Sequence, residues 1–216
     1  MKVGTDGVLL GAWAKVPNVE NDTGDSERKV DVLDVGTGTG VVALMMAQRY
    51  PNASIMAIDI DEGAVQQAVE NVAASPFFNQ VTVRCERVQD HDSCYDAIVC
   101  NPPFFIDSLA APDKQRNMAR HADTLTYAEL MEAAWRLLRD DGELSIIVPF
   151  DYRQRMEDEA TFRGFFPSRV CAVRTVAGRP ARRYLLAFRK HPCERLFETM
   201  TIGDDNYKQL TKDFYL

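Results

Sequence analysis

Two short stretches hold the residues best suited to chemistry. The first is Asn101-Pro102-Pro103-Phe104. Consecutive prolines fix the backbone and remove two N–H donors, so the carbonyls there are rigidly presented acceptors. An exocyclic amine on a planar ring is a poor nucleophile, because its lone pair is delocalised into the ring. It becomes reactive when acceptors hold its hydrogens. The Asn101 side-chain oxygen and the Pro102 carbonyl can each take one, aiming the nitrogen lone pair at an electrophilic methyl group. Phe104 can stack on the ring, an interaction worth about 1–3 kcal/mol in single-strand binders. The reaction would be an in-line displacement with no covalent enzyme intermediate and no metal, its rate set by positioning and charge arrangement. In isolation Asn-Pro-Pro is an ordinary strand terminator. Its position after a fourth strand makes it specific.

The second stretch is Asp34-Val35-Gly36-Thr37-Gly38-Thr39-Gly40. In open α/β sheets a ligand binds beyond the carboxyl ends of the strands, and Gly36, Gly38 and Gly40 let backbone N–H groups approach it. The dinucleotide fingerprint G-x-G-x-x-G/A is not met, since the third glycine comes one residue early and Val41 takes its place. A dehydrogenase is thereby disfavoured. Asp34 would repel a pyrophosphate and attract a cationic amino group, which suits the methionine end of S-adenosylmethionine. Asp59, about 20 residues on, stands where an acidic side chain accepts hydrogen bonds from ribose hydroxyls. Asp90, after the third strand, is a candidate for the adenine amino group, with a plain loop carboxylate as the alternative. Asp61 and Glu62 read instead as a solvated helix start.

The elements that must position these residues follow from periodicity. Val30–Val35 is a β-branched strand, followed by the glycine turn and a helix that runs to Tyr50 before Pro51. Ser54–Asp59, Gln80–Cys85, Tyr95–Cys100 and Gly142–Pro149 read as further strands, with helices over Glu62–Ala73 and Thr126–Arg139. A helix near Asp151–Phe162 precedes two strand candidates, Arg169–Val176 and Arg183–Arg189, joined through Gly178 and Pro180. This alternation predicts a Rossmann-like α/β fold, with a mostly parallel central sheet and a terminal antiparallel hairpin. The chain is expected to be one domain over 1–216, with an N-terminal helix and polar mobile loop in 1–29 and a basic hairpin segment in 163–190. Phe104–Asp123 is a long loop at a strand end, a common place for function.

At 216 residues, with 46% apolar and 26% charged residues, the composition is globular, and no apolar run is long enough to span a membrane. The opening Met1–Asp6 has no charged leader or cleavage site, so a cytoplasmic address is expected. Five cysteines without C-x-x-C spacing and three scattered histidines argue against disulfides and a metal site. Cys100 reads as a small buried hydrophobe. The net charge of −7 disfavours indiscriminate nucleic-acid binding, yet Arg163 to Lys190 contains eight basic residues and no Asp or Glu.

Several segments together resemble a known family. These are KVGTDGVLLGAWA (Lys2–Ala14), VLDVGTGTG (Val32–Gly40), AIDID (Ala57–Asp61), NPPFF (Asn101–Phe105), ARHADTLTYAEL (Ala119–Leu130) and DFYL (Asp213–Leu216). The chain resembles the class I N-methyltransferases with an Asn-Pro-Pro-aromatic motif, and within them the bacterial tRNA(Val) adenine-N6 methyltransferases. The resemblance implies S-adenosylmethionine as cofactor and, as substrate, the adenosine beside the anticodon of a tRNA, met through its anticodon stem-loop. A monomer is expected. The resemblance places Thr5 and Asp6, at the start of a helix, beside the methionine end of the cofactor; an ordinary N-cap is the alternative. Family members usually carry a further stretch upstream of the segment matching Lys2; if that stretch helps cover the cofactor or seat the RNA, a form without it is expected to bind weakly.

An anticodon-loop base can be splayed out, read by stacking and edge contacts, and flanked by phosphates bound to Arg and Lys. Arg179, Arg182 and Arg183 in the basic segment are the phosphate candidates, a solvated hairpin face being the alternative. Phe105, Arg120 and His121, in and beyond the loop after the motif, are further substrate-binding candidates. Three rivals remain. A glutamine-amide methyltransferase is disfavoured because only 35 residues precede Gly36, too few for a helical recognition domain. Another nucleobase amine in rRNA or DNA fits the same geometry. A nonenzymatic RNA-binding module would not need the intact acidic-glycine turn and Asn101.

Overall fold

The structure, a computed structural model, describes residues 4–17, 29–102 and 125–214. Eight strands form one sheet: β1 (Val30–Val35), β2 (Ala53–Asp59), β3 (Val81–Cys85), β4 (Tyr95–Cys100), β5 (Leu138–Pro149), β6 (Phe166–Arg174), β7 (Arg183–Arg189) and β8 (Leu196–Thr201). Their order is β3-β2-β1-β4-β5-β7-β6-β8. The pairings are parallel except those of β7, which runs against both β5 and β6. The parallel strands therefore point their carboxyl ends to one edge of the sheet. The chain reverses its direction of winding between β1 and β4, which sit side by side, and the crevice there is the standard ligand position in such sheets.

The helices are α1 (Thr5–Trp13), α2 (Val41–Arg49), α3 (Glu62–Ala73), α4 (Tyr127–Leu137), α5 (Arg153–Arg163) and α6 (Asp205–Thr211). Strand alternation divides the core into two layers. Val32, Ile55, Ala97, Val99, Ile147, Leu185 and Ala187 face α1 and α2, meeting Leu9, Leu10, Trp13, Ala43 and Met46. Leu33, Ile98, Ile146, Leu186 and Phe188 face α4 and α5, meeting Leu130, Met131, Leu137, Met156 and Ala160. A sheet covered on both faces needs the near-continuous apolar strands seen in VDVLDV and YDAIVC.

Helix ends follow their local chemistry. Thr126 and Glu129 form a reciprocal capping box at the start of α4. Asp61, expected as a merely solvated start, accepts a bond from the Ala64 N–H as N-cap of α3. Gly164, at φ +104, ends α5.

The expected strands and helices are present, with β1, α3, β4 and β7 at the expected bounds. The starts of β2 and β3 differ by one residue, β5 begins at Leu138 rather than Gly142, and β6 runs over Phe166–Arg174 rather than Arg169–Val176. Three further differences bear on the layout. The helix expected to reach Arg139 ends at Leu137, because Leu138 pairs with Tyr95 and Arg139 is drawn to Asp31 and Asp96 by ion pairs. The helix after β5 begins with a 3-10 turn, Phe150–Tyr152. The expected hairpin β6–β7 is followed by a strand that periodicity does not announce, since β8 pairs with β6 in parallel and forms the sheet edge. Its segment LFETMT buries Met200 alone, so it shows no alternation to read.

Candidate active site

The strand registers bring the two chemistry-bearing stretches together. Ile58 pairs with Val35, Val35 with Cys100, and Cys100 with Ile146, a single row across four parallel strands. The next residue on each is Asp59, Gly36, Asn101 and Ile147. Neighbouring strands lie about 4.8 Å apart, so the ribose-type acid, the glycine turn and the amide leave the sheet at one level.

The glycine turn is held by backbone and carboxylate contacts. The N–H groups of Gly36 and Thr37 both donate to the Ile58 carbonyl, at 2.9 and 3.0 Å. Gly36, Gly38 and Gly40 have φ of +69°, +57° and +82°, which L side chains rarely adopt. A Cβ at Gly36 or Gly38 would meet nothing within 4 Å, whereas one at Gly40 would stand 3.4 Å from the Ala68 side chain. The first two glycines border open space, and the third lets the end of the turn come close to α3 at Ala68.

Asp34, 1% exposed, has a structural duty that its sequence position does not reveal. Its Oδ2 accepts the Thr37 hydroxyl at 2.6 Å and the Ala43 N–H at 3.1 Å, tying the turn to the first turn of α2. These bonds leave Oδ1 as the oxygen for a cationic group. Burial pushes the carboxyl up to about 7, the two hydrogen bonds oppose this, and neighbouring Asp59 adds to it. Asp59 accepts from the Gly38 N–H through Oδ2 at 2.8 Å and from the Asp61 N–H through Oδ1 at 3.0 Å. It thus fixes the turn and keeps lone pairs for hydroxyl donors.

Asn101 is half-buried, Pro102 buried. The Asn101 Oδ1 is buried and has no hydrogen-bond partner among the described residues. A buried acceptor without a donor costs roughly 1–3 kcal/mol, so such an atom calls for a ligand-borne N–H. Cys100, just before it, is 1% exposed, and burial followed by the charges of Asp34 and Asp59 pushes its thiol well above the usual range. It is the inert hydrophobe expected. Pro103, Phe104, Phe105, Arg120 and His121 lie outside the described residues.

The remaining candidates divide. Asp90 is exposed, in a turn that Arg136 clamps from α4 through the carbonyls of Val88, Gln89 and His91. Nothing in the sequence singles out Arg136, because its partners are backbone atoms 45 to 48 residues away. Thr5 and Asp6 lie in the first turn of α1, but the N-cap is Gly4, so capping is not their role. Asp6 instead pairs with Arg183 at 2.8 Å, which removes Arg183 from the freely available phosphate ligands. The expected basic face is likewise broken up. Arg163 pairs with Glu132, Arg169 and Arg189 with buried Glu143, and Lys190 with Asp140. Arg179 and Arg182 are exposed and have no ion pair among the described residues. Acidic partners distant in sequence account for the difference.

The residues fit S-adenosylmethionine: an open glycine turn, a ribose-type acid, and a buried acid whose free oxygen suits an ammonium group. Among the described residues, no group of three or more His, Cys, Asp or Glu can hold a metal ion, and no helix is long and apolar enough to cross a membrane.

Comparisons with known proteins identify the family. The family described as methyltransferase small domain matches residues 18–165. Over 227 residues the chain is 43% identical to the tRNA1(Val) (adenine(37)-N6)-methyltransferase of Bacteroides fragilis, covering 100% of this chain and 91% of that protein. The enzyme of the same name from Phocaeicola vulgatus is 44% identical over 224 residues, again with 91% of its length covered. Among solved structures, a predicted O-methyltransferase from Agrobacterium tumefaciens superposes with a TM-score of 0.69 at 17% identity, over 96% of this chain and 95% of that one. A TehB-like SAM-dependent methyltransferase from Corynebacterium glutamicum gives 0.52 at 15% identity, over 77% and 83%. These two speak for the fold. The chain belongs to the methyltransferase small domain family and, within it, to the group of the tRNA1(Val) (adenine(37)-N6)-methyltransferases.

Proposed function

We propose that this chain methylates the N6 amino group of an adenosine in tRNA, adenosine 37 of a valine tRNA by analogy with the names of its relatives, using S-adenosylmethionine. The observation that carries this reading is the buried Asn101 Oδ1, without a hydrogen-bond partner among the described residues, one row beyond the Val35–Cys100 pair and beside the glycine turn.

When bound, the cofactor supplies an electrophilic methyl group on a sulfonium sulfur. The chain's own residues do the rest. Asp34 Oδ1 and the open turn at Gly36 and Gly38 receive the amino-acid end, and Asp59 receives the ribose hydroxyls. Asn101 Oδ1 and the Pro102 carbonyl each accept one hydrogen of the target amine, drawing its lone pair out of ring conjugation and toward the methyl carbon. Transfer would form one N–C bond as the cofactor's S–C bond breaks, leaving S-adenosylhomocysteine, and the excess proton on the methylated amine would pass to solvent water. No side chain needs to form a covalent bond, so rate comes from positioning. Phe104 and Phe105 are assigned to stacking on the base, Asp90 to the adenine of the cofactor, and Arg120 and His121 to the RNA. A single catalytic domain, a monomeric state and a cytoplasmic location complete the reading.

The test is incubation with methyl-labelled S-adenosylmethionine and total tRNA from a strain lacking the enzyme, followed by mapping of the labelled nucleoside. Label at adenosine N6 in valine tRNA supports the proposal. Label on protein or rRNA, with tRNA unlabelled, overturns the substrate and leaves a methyltransferase; cofactor binding without any transfer leaves a nonenzymatic module.

A further inference from the structure

Beyond the residues assigned so far, the carboxyl edge of the sheet carries an aromatic and cationic cluster at the end of β5. Phe150, in the 3-10 turn directly after that strand, is 50% exposed. Its ring lies 6.1 Å from that of Tyr184, tilted by 39°. Tyr184 is itself held, because the Arg153 guanidinium lies 4.5 Å over its ring and is fixed by Glu157 through a 2.9 Å bond. Arg195 bonds the same Glu157 oxygen at 2.6 Å. An exposed phenylalanine is thus backed by a four-member chain of supports, which distinguishes it from a stray surface hydrophobe.

The same place gathers positive charge. The Phe150 N–H donates to the Arg182 carbonyl at 3.1 Å, joining the aromatic to the β6–β7 turn that carries exposed Arg179 and Arg182. Between Pro149 and Met156 the chain has Arg153 and Arg155 against a single acid, Asp151. Arg153 is paired with Glu157, and Asp158 and Glu159 follow, so the exposed cations without an ion pair among the described residues here are Arg179 and Arg182. The cluster's position relative to the site follows from register. Cys100 pairs with Ile146, so Phe150 stands one strand over from Asn101 and about 10 Å farther along the strand direction. A base turned into the Asn101 site leaves its chain neighbours at about that range.

We infer that Phe150, braced by Tyr184 and Arg153, is a stacking platform for a nucleotide flanking the target base, with Arg179 and Arg182 binding the adjoining phosphates. This rests on the reading of the site as one for RNA. Single-strand recognition pairs an aromatic face with nearby cations, because the base is stacked while its backbone is neutralised.

The experiment measures binding of transcribed valine tRNA to the full chain with S-adenosylhomocysteine present, across a series of salt concentrations. Phe150→Ala removes the stacked ring and is expected to weaken RNA binding by about tenfold or more, without changing the salt slope. Phe150→Trp should restore it. The double variant Arg179→Ala/Arg182→Ala should flatten the slope of log K against log salt by about 0.7 for each single-strand phosphate that is no longer neutralised. S-adenosylhomocysteine affinity and melting temperature, both measured, should match wild type in every variant. If wild type binds and methylates the tRNA but Phe150→Ala binds it equally well, the platform is overturned and the proposed function stands. If wild type binds S-adenosylhomocysteine but no RNA, both fall.

Discussion

Replacing Asp34 with asparagine separates its two duties and allows a worked magnitude. The side chain is 1% exposed, and burial raises its carboxyl from 3.8 to about 7. Holding that charge inside the fold at high pH therefore costs on the order of 4 kcal/mol relative to the unfolded chain. The folded state binds the proton more tightly than the unfolded one. Asp34's contribution to stability is thus full below pH 3.8, shrinks as pH rises, and is gone above about pH 7. Asparagine keeps an acceptor for the Thr37 hydroxyl and the Ala43 N–H but has no charge to bury. Urea unfolding of the cofactor-free protein should show wild type losing about 2–3 kcal/mol more than Asp34→Asn between roughly pH 5 and pH 8. Binding should move the opposite way. If the ammonium end of the cofactor meets Asp34, binding requires the ionised carboxylate, so wild-type affinity rises up to about tenfold per pH unit below 7 and then levels off. Asp34→Asn should bind more weakly above pH 7 and lack this dependence. Parallel unfolding curves for the two proteins, together with an unchanged pH profile of binding, would refute the reasoning.

Other expectations are simpler. Gly38→Ala forces a Cβ into a backbone at φ +57° and into the open space of the turn; it should cost about 1–2 kcal/mol in unfolding and weaken cofactor binding at least tenfold by calorimetry. Glu143 is fully buried and holds Arg169 at 2.7 Å and Arg189 at 3.1 Å, so Glu143→Ala leaves a buried arginine uncompensated and should cost about 3–5 kcal/mol by denaturant titration. Arg136→Ala frees three carbonyls in the loop around Asp90, and hydrogen exchange there should speed up in the cofactor-free protein while β1 and β4 stay protected.

The part of the fold that builds the site is legible in the sequence because its signals are local. VDVLDV followed by a glycine run, and YDAIVC followed by two prolines, each state a strand and its end in a few residues. The acid at Asp59 is found by its spacing. Interactions across long separations are not visible. Asp6 with Arg183, and Glu143 with Arg169 and Arg189, disperse a basic run that looks continuous, because their partners come from other strands and from α1. Strand β8 carries no periodic pattern, as it buries one residue of six. Thr37 reads as a spacer within the glycine run, although the hydroxyl it places on Asp34 shapes the turn.

The central claim is that Asn101 activates an adenosine amine, and single-turnover methylation of valine tRNA by wild type and Asn101→Ala tests it most directly. Losing one preorganised acceptor should slow transfer by about 10²-fold or more, with S-adenosylmethionine affinity within about twofold of wild type. An Asn101→Ala protein that methylates the same adenosine at the wild-type rate would contradict the account.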